Sequence, residues 1–95
     1  LVPVMPVGGL RMVDRNEADD KIIAVLKGDA VWAEIDDVTK LPSALIERLK
    51  HYFLTYKLTP GEAPAQVEIA EVYGRDEAYE TIEASFADYR KKYLV

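Results

Sequence analysis

The sequence contains no cysteine, and it has no apolar run long enough to cross a membrane. The absence of cysteine excludes a disulfide framework and a cysteine-based zinc site. A transmembrane helix needs roughly 20 consecutive apolar residues, and the first residues lack the charged, apolar and small-residue zones of a signal peptide. We therefore expect a cytoplasmic protein without a membrane partner.

Basic residues are few relative to acidic ones: 12 Lys and Arg stand against 17 Asp and Glu, for a net charge of −5. Proteins that bind nucleic acids need clustered basic residues to neutralise phosphates, so we expect no nucleic-acid partner. Acidic side chains instead suit hard divalent cations. A chain of 95 residues supports one modest core, so residues 1–95 are expected to belong to a single domain. Residues 1–7 are apolar without a polar lead-in, which predicts that the chain begins inside a domain.

Two segments near the start are typical of β-strands. Residues 10–14 alternate in polarity, and residues 21–26 form a compact run rich in β-branched side chains. Residues 15–18 are mostly polar, and a segment of this length is short enough to connect two paired strands. The sequence therefore predicts a β-hairpin with a four-residue loop.

The middle of the chain predicts a loop and then a helix. Residues 27–40 lack sustained periodicity, and we expect this loop to be packed down by Trp32. Pro42 suits the first turn of a helix, which should end near Lys57 because Pro60 follows shortly after. Its apolar stripe has spacings of three and four and consists of Leu45, Leu49, Tyr52, Phe53 and Tyr56.

The last third predicts one strand and one further helix. Residues 67–74 alternate imperfectly and should form a strand that ends at Gly74. Asp76 can cap the helix that follows, whose apolar stripe is Ala78, Ile82, Phe86, Tyr89 and Tyr93. The predicted order is β-β-loop-α-β-α, and the fold class is α+β.

The predicted hairpin contains the strongest candidates for chemistry. Asp14 ends one strand and Asp19 begins the next, so their Cβ atoms should lie nearly opposite each other, about 5 Å apart. A hard cation between them would relieve their repulsion, since Mg²⁺ binds one or two carboxylates together with waters and phosphate oxygens. Lys21 lies two residues beyond Asp19 and shares its face of the strand. It could therefore hold an anion beside the metal.

Two other interpretations of this acidic segment compete with the metal site. In the first, the acidic residues are simply solvated charges on an exposed turn, which would show the same sequence spacing. A calcium loop of the EF-hand kind is excluded, because Asp19 stands where glycine is required and Val25 stands where the closing glutamate is required.

Two sets of motifs resemble a known family. The first set is PVG at residues 6–8, LRMVD at 10–14 and DDKIIAV at 19–25, and the second is LP at 41–42, HYF at 51–53 and YK at 56–57. Their order and spacing resemble the carboxy-terminal half of the soluble, magnesium-dependent (family I) inorganic pyrophosphatases. The likeness covers nearly the whole chain and weakens after Pro60.

The resemblance implies a fold and a set of site residues. The family fold is an OB-like, five-stranded β-barrel with two flanking α-helices. Carried over by position, Asp14 and Asp19 are metal ligands for Mg²⁺, with Mn²⁺ as a possible substitute. Lys21, Tyr56 and Lys57 contact phosphate oxygens, and Lys21 and Tyr56 are the catalytic residues among them.

The resemblance also implies an activity and partners. The parent protein would hydrolyse inorganic pyrophosphate and form a homo-oligomer, a trimer or hexamer. The family carries a D-x-D-x-x-D run upstream of the matching region, which this chain lacks, so we expect the 95 residues alone to be inactive. An alternative is a non-catalytic binding or interaction module that keeps a weak Mg²⁺ and phosphate site. By pattern alone, Tyr56 also suits a core position, and Lys57 suits a helix C-terminus.

Overall fold

The computed structural model describes residues 2–55 and 67–93. In chain order the elements are β1 (Val4–Asp14), β2 (Glu17–Ala18), β3 (Lys21–Leu26), a 3₁₀ turn (Val38–Lys40), α1 (Ser43–Thr55), β4 (Val67–Gly74) and α2 (Arg75–Tyr93). The predicted order of strands and helices is confirmed, with β2 as a short addition. The predicted end of the first helix, near Lys57, lies outside the described residues.

Strand β1 is the centre of the sheet. It pairs antiparallel with β2 and β3 through the hairpin, and antiparallel with β4. β1 begins at Val4, six residues before the predicted start, because its first half pairs with the whole of β3. A central strand has both faces covered, so its burial is continuous from Val7 to Leu10.

The hairpin turn is tighter than predicted. Arg15 and Asn16 have positive φ angles of 53° and 66°, as the two central residues of a type I′ turn do. Glu17 and Ala18 then pair with Asp14 and Val13 as β2. The predicted four-residue loop is therefore wrong: the turn has two residues, and the other two extend the hairpin.

The two faces of the sheet contact different helices. Leu10 lies opposite Lys21 and Val72, and the Lys21 ammonium lies beside Phe53 of α1. We call this side the α1 face. Gly9 and Arg11 belong to the other side, the α2 face, where Arg11 bonds Glu77 of α2. Directly paired residues share a face, and successive residues alternate between faces.

The core lies on the α1 face and around the 3₁₀ turn. The buried cluster consists of Val7, Val25, Val38 and Leu41. A methyl group on Gly8 would come 2.5 Å from the Tyr73 carbonyl oxygen and 2.6 Å from the Val38 Cβ, so glycine allows this close approach. Trp32 is 37% exposed. Trp32 lines a groove together with β3 and Leu41, but the buried residues that anchor the loop are Val38 and Leu41.

The helices begin slightly away from the predicted positions. Pro42 precedes α1, and its carbonyl accepts the Leu45 N–H at 3.0 Å. Helix α2 begins at Arg75, so Asp76 lies within its first turn and is not its cap. The predicted cap is therefore wrong, and the side chain of Asp37 takes that place by accepting the Arg75 N–H at 2.9 Å.

The predicted class is confirmed as an antiparallel sheet combined with two helices. The closed five-stranded barrel remains a prediction. None of the helices within residues 2–55 and 67–93 is long and apolar enough to cross a membrane.

Candidate functional site

The hairpin brings three of the predicted site residues onto the α1 face. The Asp19 N–H donates to the Met12 carbonyl at 2.9 Å, and the pairing is regular from there to Asp14. Asp14, Asp19 and Lys21 therefore all belong to the same face as Leu10. The prediction that Asp19 shares a face with Lys21 follows directly from this pairing.

The predicted opposition of the two aspartates is wrong. Asp14 lies opposite Glu17, and Asp19 is its diagonal neighbour. Diagonal positions are about 7–8 Å apart, compared with about 5 Å for opposed ones. The difference arises because two residues of the expected loop are paired. At the diagonal spacing, two carboxylates can bind one cation from either side, directly or through water.

Lys21 is held by contacts to Asp19, just before β3, and to Phe53 of α1. Its ammonium donates to the Asp19 carboxylate at 3.0 Å and lies 5.7 Å from the centroid of the Phe53 ring. A cation within about 6 Å of an aromatic face is attracted to it. The Lys21 side chain is 24% exposed and that of Asp19 is 35% exposed. The pair is therefore partly shielded but still reachable from solvent.

Phe53 is the contact that the sequence did not reveal as part of this site. It belongs to the apolar stripe of α1, which by itself indicates packing. The signal that could have found it is its position three residues before Tyr56 in the sequence, a spacing that puts two side chains on one side of a predicted helix. Tyr56 and Lys57 themselves lie outside the described residues.

The carboxylates can supply part of a metal site. Within residues 2–55 and 67–93, no group of three or more His, Asp or Glu side chains is close enough to hold a metal ion. Mg²⁺ nevertheless needs only one or two carboxylates when waters and phosphate oxygens complete its shell. Asp14 and Asp19 fit that limited role.

Asp20 belongs to the α2 face and to a different set of contacts. The Tyr73 hydroxyl donates to its carboxylate at 3.0 Å, and the Arg11 guanidinium lies 5.0 Å from the centroid of the Tyr73 ring. Arg11 also pairs with Glu71 and Glu77. Burial, and then the neighbouring Asp20, raises the pKa of Tyr73 above its usual value. Asp20 thus helps to join β4 to the hairpin.

Comparison with known proteins identifies the family. The family model for inorganic pyrophosphatase matches residues 1–90. The chain belongs to the inorganic pyrophosphatase family. The resemblance seen in the hairpin and helix motifs is thereby confirmed.

Individual pyrophosphatases agree with this assignment. The chain is 45% identical to the inorganic pyrophosphatase of Chlamydia caviae, over 98% of this chain and 45% of that protein. It is 35% identical to that of Nanoarchaeum equitans, over 96% of this chain and 57% of that protein. The crystal structure of the inorganic pyrophosphatase from Thermus thermophilus superposes with a TM-score of 0.81 at 30% identity, covering 94% of this chain and 51% of that one. The chain thus spans about half the length of the pyrophosphatases it matches.

Proposed function

We propose that this chain forms part of the site of a Mg²⁺-dependent inorganic pyrophosphatase. Asp14 and Asp19 bind the metal, and Lys21, Tyr56 and Lys57 bind the phosphate groups. The observation that carries the proposal is the shared face of Asp14, Asp19 and Lys21 in a chain of this family. The proposal includes a cytoplasmic location and a homo-oligomer.

Each group of the site has a defined task. When bound, Mg²⁺ lowers the pKa of a water molecule and neutralises phosphate charge. The Lys21 ammonium donates to a phosphate oxygen and stabilises the negative charge that develops on the leaving phosphate. The Tyr56 hydroxyl can donate a hydrogen bond to the same anion, and Lys57 adds a second positive charge.

The contacts of Lys21 also prepare it for this task. Its 3.0 Å bond to Asp19 places the ammonium next to a metal-binding carboxylate before substrate arrives. An oriented donor loses less freedom when the phosphate binds. Phe53 lies beside the same ammonium and limits the directions in which the side chain can turn.

Turnover measurements test the function. We expect the 95 residues alone to release phosphate from pyrophosphate with Mg²⁺ no faster than buffer, because the chain lacks the D-x-D-x-x-D run that the family carries. Joining the chain to the part of the Chlamydia caviae relative that it does not match should produce Mg²⁺-dependent phosphate release.

Two results would count against this proposal. Turnover by the isolated chain that survives repurification would mean that another base, such as Glu17, Asp36 or Asp37, activates water. A joined protein that is folded by circular dichroism and binds Mn²⁺ but releases no phosphate would favour the non-catalytic binding module.

A further inference from the structure

The side chain of Tyr73 crosses the central strand on the side opposite the candidate site. Tyr73 of β4 is paired with Gly9 of β1, and both belong to the α2 face. A methyl group on Gly9 would come 2.5 Å from Cζ and 2.6 Å from the hydroxyl oxygen of Tyr73, so only glycine leaves room for the ring to lie over β1. The hydroxyl thereby reaches the Asp20 carboxylate, at 3.0 Å, just before β3.

Several contacts hold the Tyr73 ring in this position. The Arg11 guanidinium lies 5.0 Å from the ring centroid and pairs with Glu71 and Glu77. The Thr81 side chain of α2 also hydrogen-bonds the hydroxyl, and Tyr73 is only 4% exposed. A polar network whose members are all bonded makes a buried group rigid. The Tyr73 hydroxyl is therefore a fixed point on the α2 face.

Asp20 connects this fixed point to the candidate site. Asp19 and Asp20 lie between the end of β2 at Ala18 and the start of β3 at Lys21, so they belong to neither strand. Because successive side chains of an extended chain alternate between faces, holding Asp20 on the α2 face directs its two neighbours to the α1 face. These neighbours are Asp19 and Lys21, the two site residues that contact each other.

We propose that Tyr73 is a positioning residue of the site. Its hydroxyl holds Asp20 on the α2 face, and this bond keeps Asp19 and Lys21 in their working arrangement on the α1 face. The inference rests on the proposed function for the tasks of Asp19 and Lys21. Without the bond, the connection between β2 and β3 turns more freely, so the ammonium and the carboxylate spend less time in that arrangement.

Tyr73→Phe in the joined protein tests the effect on turnover, because it keeps the ring and its contact with Arg11 and removes only the hydroxyl. We expect kcat/KM to fall about three- to thirtyfold, within the range by which a hydrogen bond to a charged group shifts an equilibrium. The Mg²⁺ concentration that gives the half-maximal rate should rise severalfold. A variant that is merely less stable contains less active enzyme but needs the same Mg²⁺ concentration.

Variants of Asp20 separate the hydrogen bond from the charge. Asp20→Ala should match Tyr73→Phe, and the double variant should lose no more than either, since all three lack the same bond. Asp20→Asn should stay within about twofold of the wild type, because its amide oxygen still accepts from the hydroxyl. Thr39→Val is the matched control, since it removes another hydroxyl-to-carboxylate bond, of 2.7 Å to Asp37. It should leave kcat/KM and the Mg²⁺ requirement unchanged.

Amide hydrogen exchange gives a readout that needs neither metal nor turnover, and it can be measured on the chain alone or joined. Tyr73→Phe should speed exchange of the Asp19 N–H, which bonds the Met12 carbonyl, about tenfold, because local opening becomes easier. The Lys27 N–H bonds the Pro3 carbonyl at 3.0 Å at the other end of the same strand pair. It should exchange at the wild-type rate, whereas a general loss of stability would speed both.

An unchanged exchange rate for the Asp19 N–H in Tyr73→Phe overturns the inference, as does an equal acceleration of the Lys27 N–H. An Asp20→Asn variant as impaired as Asp20→Ala would also overturn it, because the charge would then be responsible. If Tyr73→Phe keeps the wild-type kcat/KM while Lys21→Ala loses activity, the positioning role alone is wrong. If Lys21→Ala also matches the wild type, the proposed function fails, and the inference fails with it.

Discussion

The chemistry of the hairpin depends on which side of one strand each side chain occupies. Asp19 and Lys21 belong to the α1 face and contact each other, whereas Asp20, between them, accepts the Tyr73 hydroxyl on the α2 face. Neighbouring acidic residues therefore have different tasks. Successive residues of a strand point to opposite faces of the sheet. A shift of the strand register by one residue would therefore put Asp20 on the α1 face and Asp19 on the α2 face.

At this scale the metal role of Asp14 and Asp19 can be tested directly. We expect Mn²⁺ to bind the chain weakly, because two carboxylates leave most of the metal shell to water. Asp14→Asn should lower the affinity severalfold, since a neutral amide is a poorer ligand for a hard cation. Titration followed by the paramagnetic signal of free Mn²⁺ measures both affinities.

Asp76→Asn is the control for this titration, because it removes the same charge from a side chain that is 95% exposed and remote in sequence from the hairpin. It should bind Mn²⁺ as the wild type does. Equal affinities for the wild type and Asp14→Asn would reject the site.

The sequence predicted the residues of the hairpin better than their pairing. Lys21–Leu26 has the predicted bounds, because its run of β-branched residues admits few alternatives. The turn was predicted wrongly, since Arg15 and Asn16 both adopt positive φ without glycine. Asn tolerates that conformation, but Arg gives no such signal. Because the turn has two residues and not four, Glu17 lies opposite Asp14. Asp19 is therefore the diagonal neighbour of Asp14.

At the scale of elements, Asp37 joins the 3₁₀ turn to the start of α2. One carboxylate oxygen accepts the Arg75 N–H at 2.9 Å, and the other accepts the Thr39 N–H at 3.0 Å and the Thr39 hydroxyl at 2.7 Å. These donors, with the Arg75 N–H the strongest, lower the pKa of Asp37 from 3.8 to about 2. One side chain thus satisfies donors from two elements.

This contact predicts a pH dependence of stability. The folded state lowers the pKa of Asp37, so its contribution is complete above the unfolded value of 3.8 and is lost as the pH falls towards about 2. Asp37→Asn should remove this part of the acid sensitivity. Near neutral pH it should also lower the free energy of unfolding by about 0.5–2 kcal/mol, as the loss of a capping carboxylate does.

Urea unfolding at several pH values measures both effects. Asp88→Asn, which changes an exposed acidic residue in the last third of α2, is the control and should keep the wild-type pH profile. The interpretation of Asp37 fails if Asp37→Asn and wild type lose stability in parallel between pH 4 and pH 2.

In some other elements the local sequence pattern was sufficient to predict the structure, and in others it was not. β4 has the predicted bounds, and Ala78 on the predicted stripe of α2 is buried. The cap of α2 could not be predicted, because Asp37 is 38 residues away from Arg75 and only the folded chain brings them together. The pattern also placed Phe86 in a core stripe, yet it is 59% exposed, because α2 is longer than the sheet surface that receives its first turns.

At the scale of the whole molecule, β1 organises the fold because β2, β3 and β4, the other strands in the described part of the chain, all pair with it. The family and the class of fold were predictable, since most of the described motif residues fall on β1, β3 and α1, the elements that form the α1 face. The predicted barrel needs strand pairings beyond those described here. The chain spans about half of its relatives, so the proposed site would be completed by residues outside this chain.

The measurement that tests the central claim most directly is kcat/KM for pyrophosphate in the joined protein, compared between wild type, Lys21→Ala and Tyr56→Phe. Both variants should lose roughly ten- to a thousandfold, as expected when one contact that stabilises charge in the transition state is removed. Lys27→Ala, which removes an exposed lysine just beyond β3, should keep the wild-type value. If Lys21→Ala and Tyr56→Phe both match the wild type while the joined protein is active, the site does not lie on the α1 face.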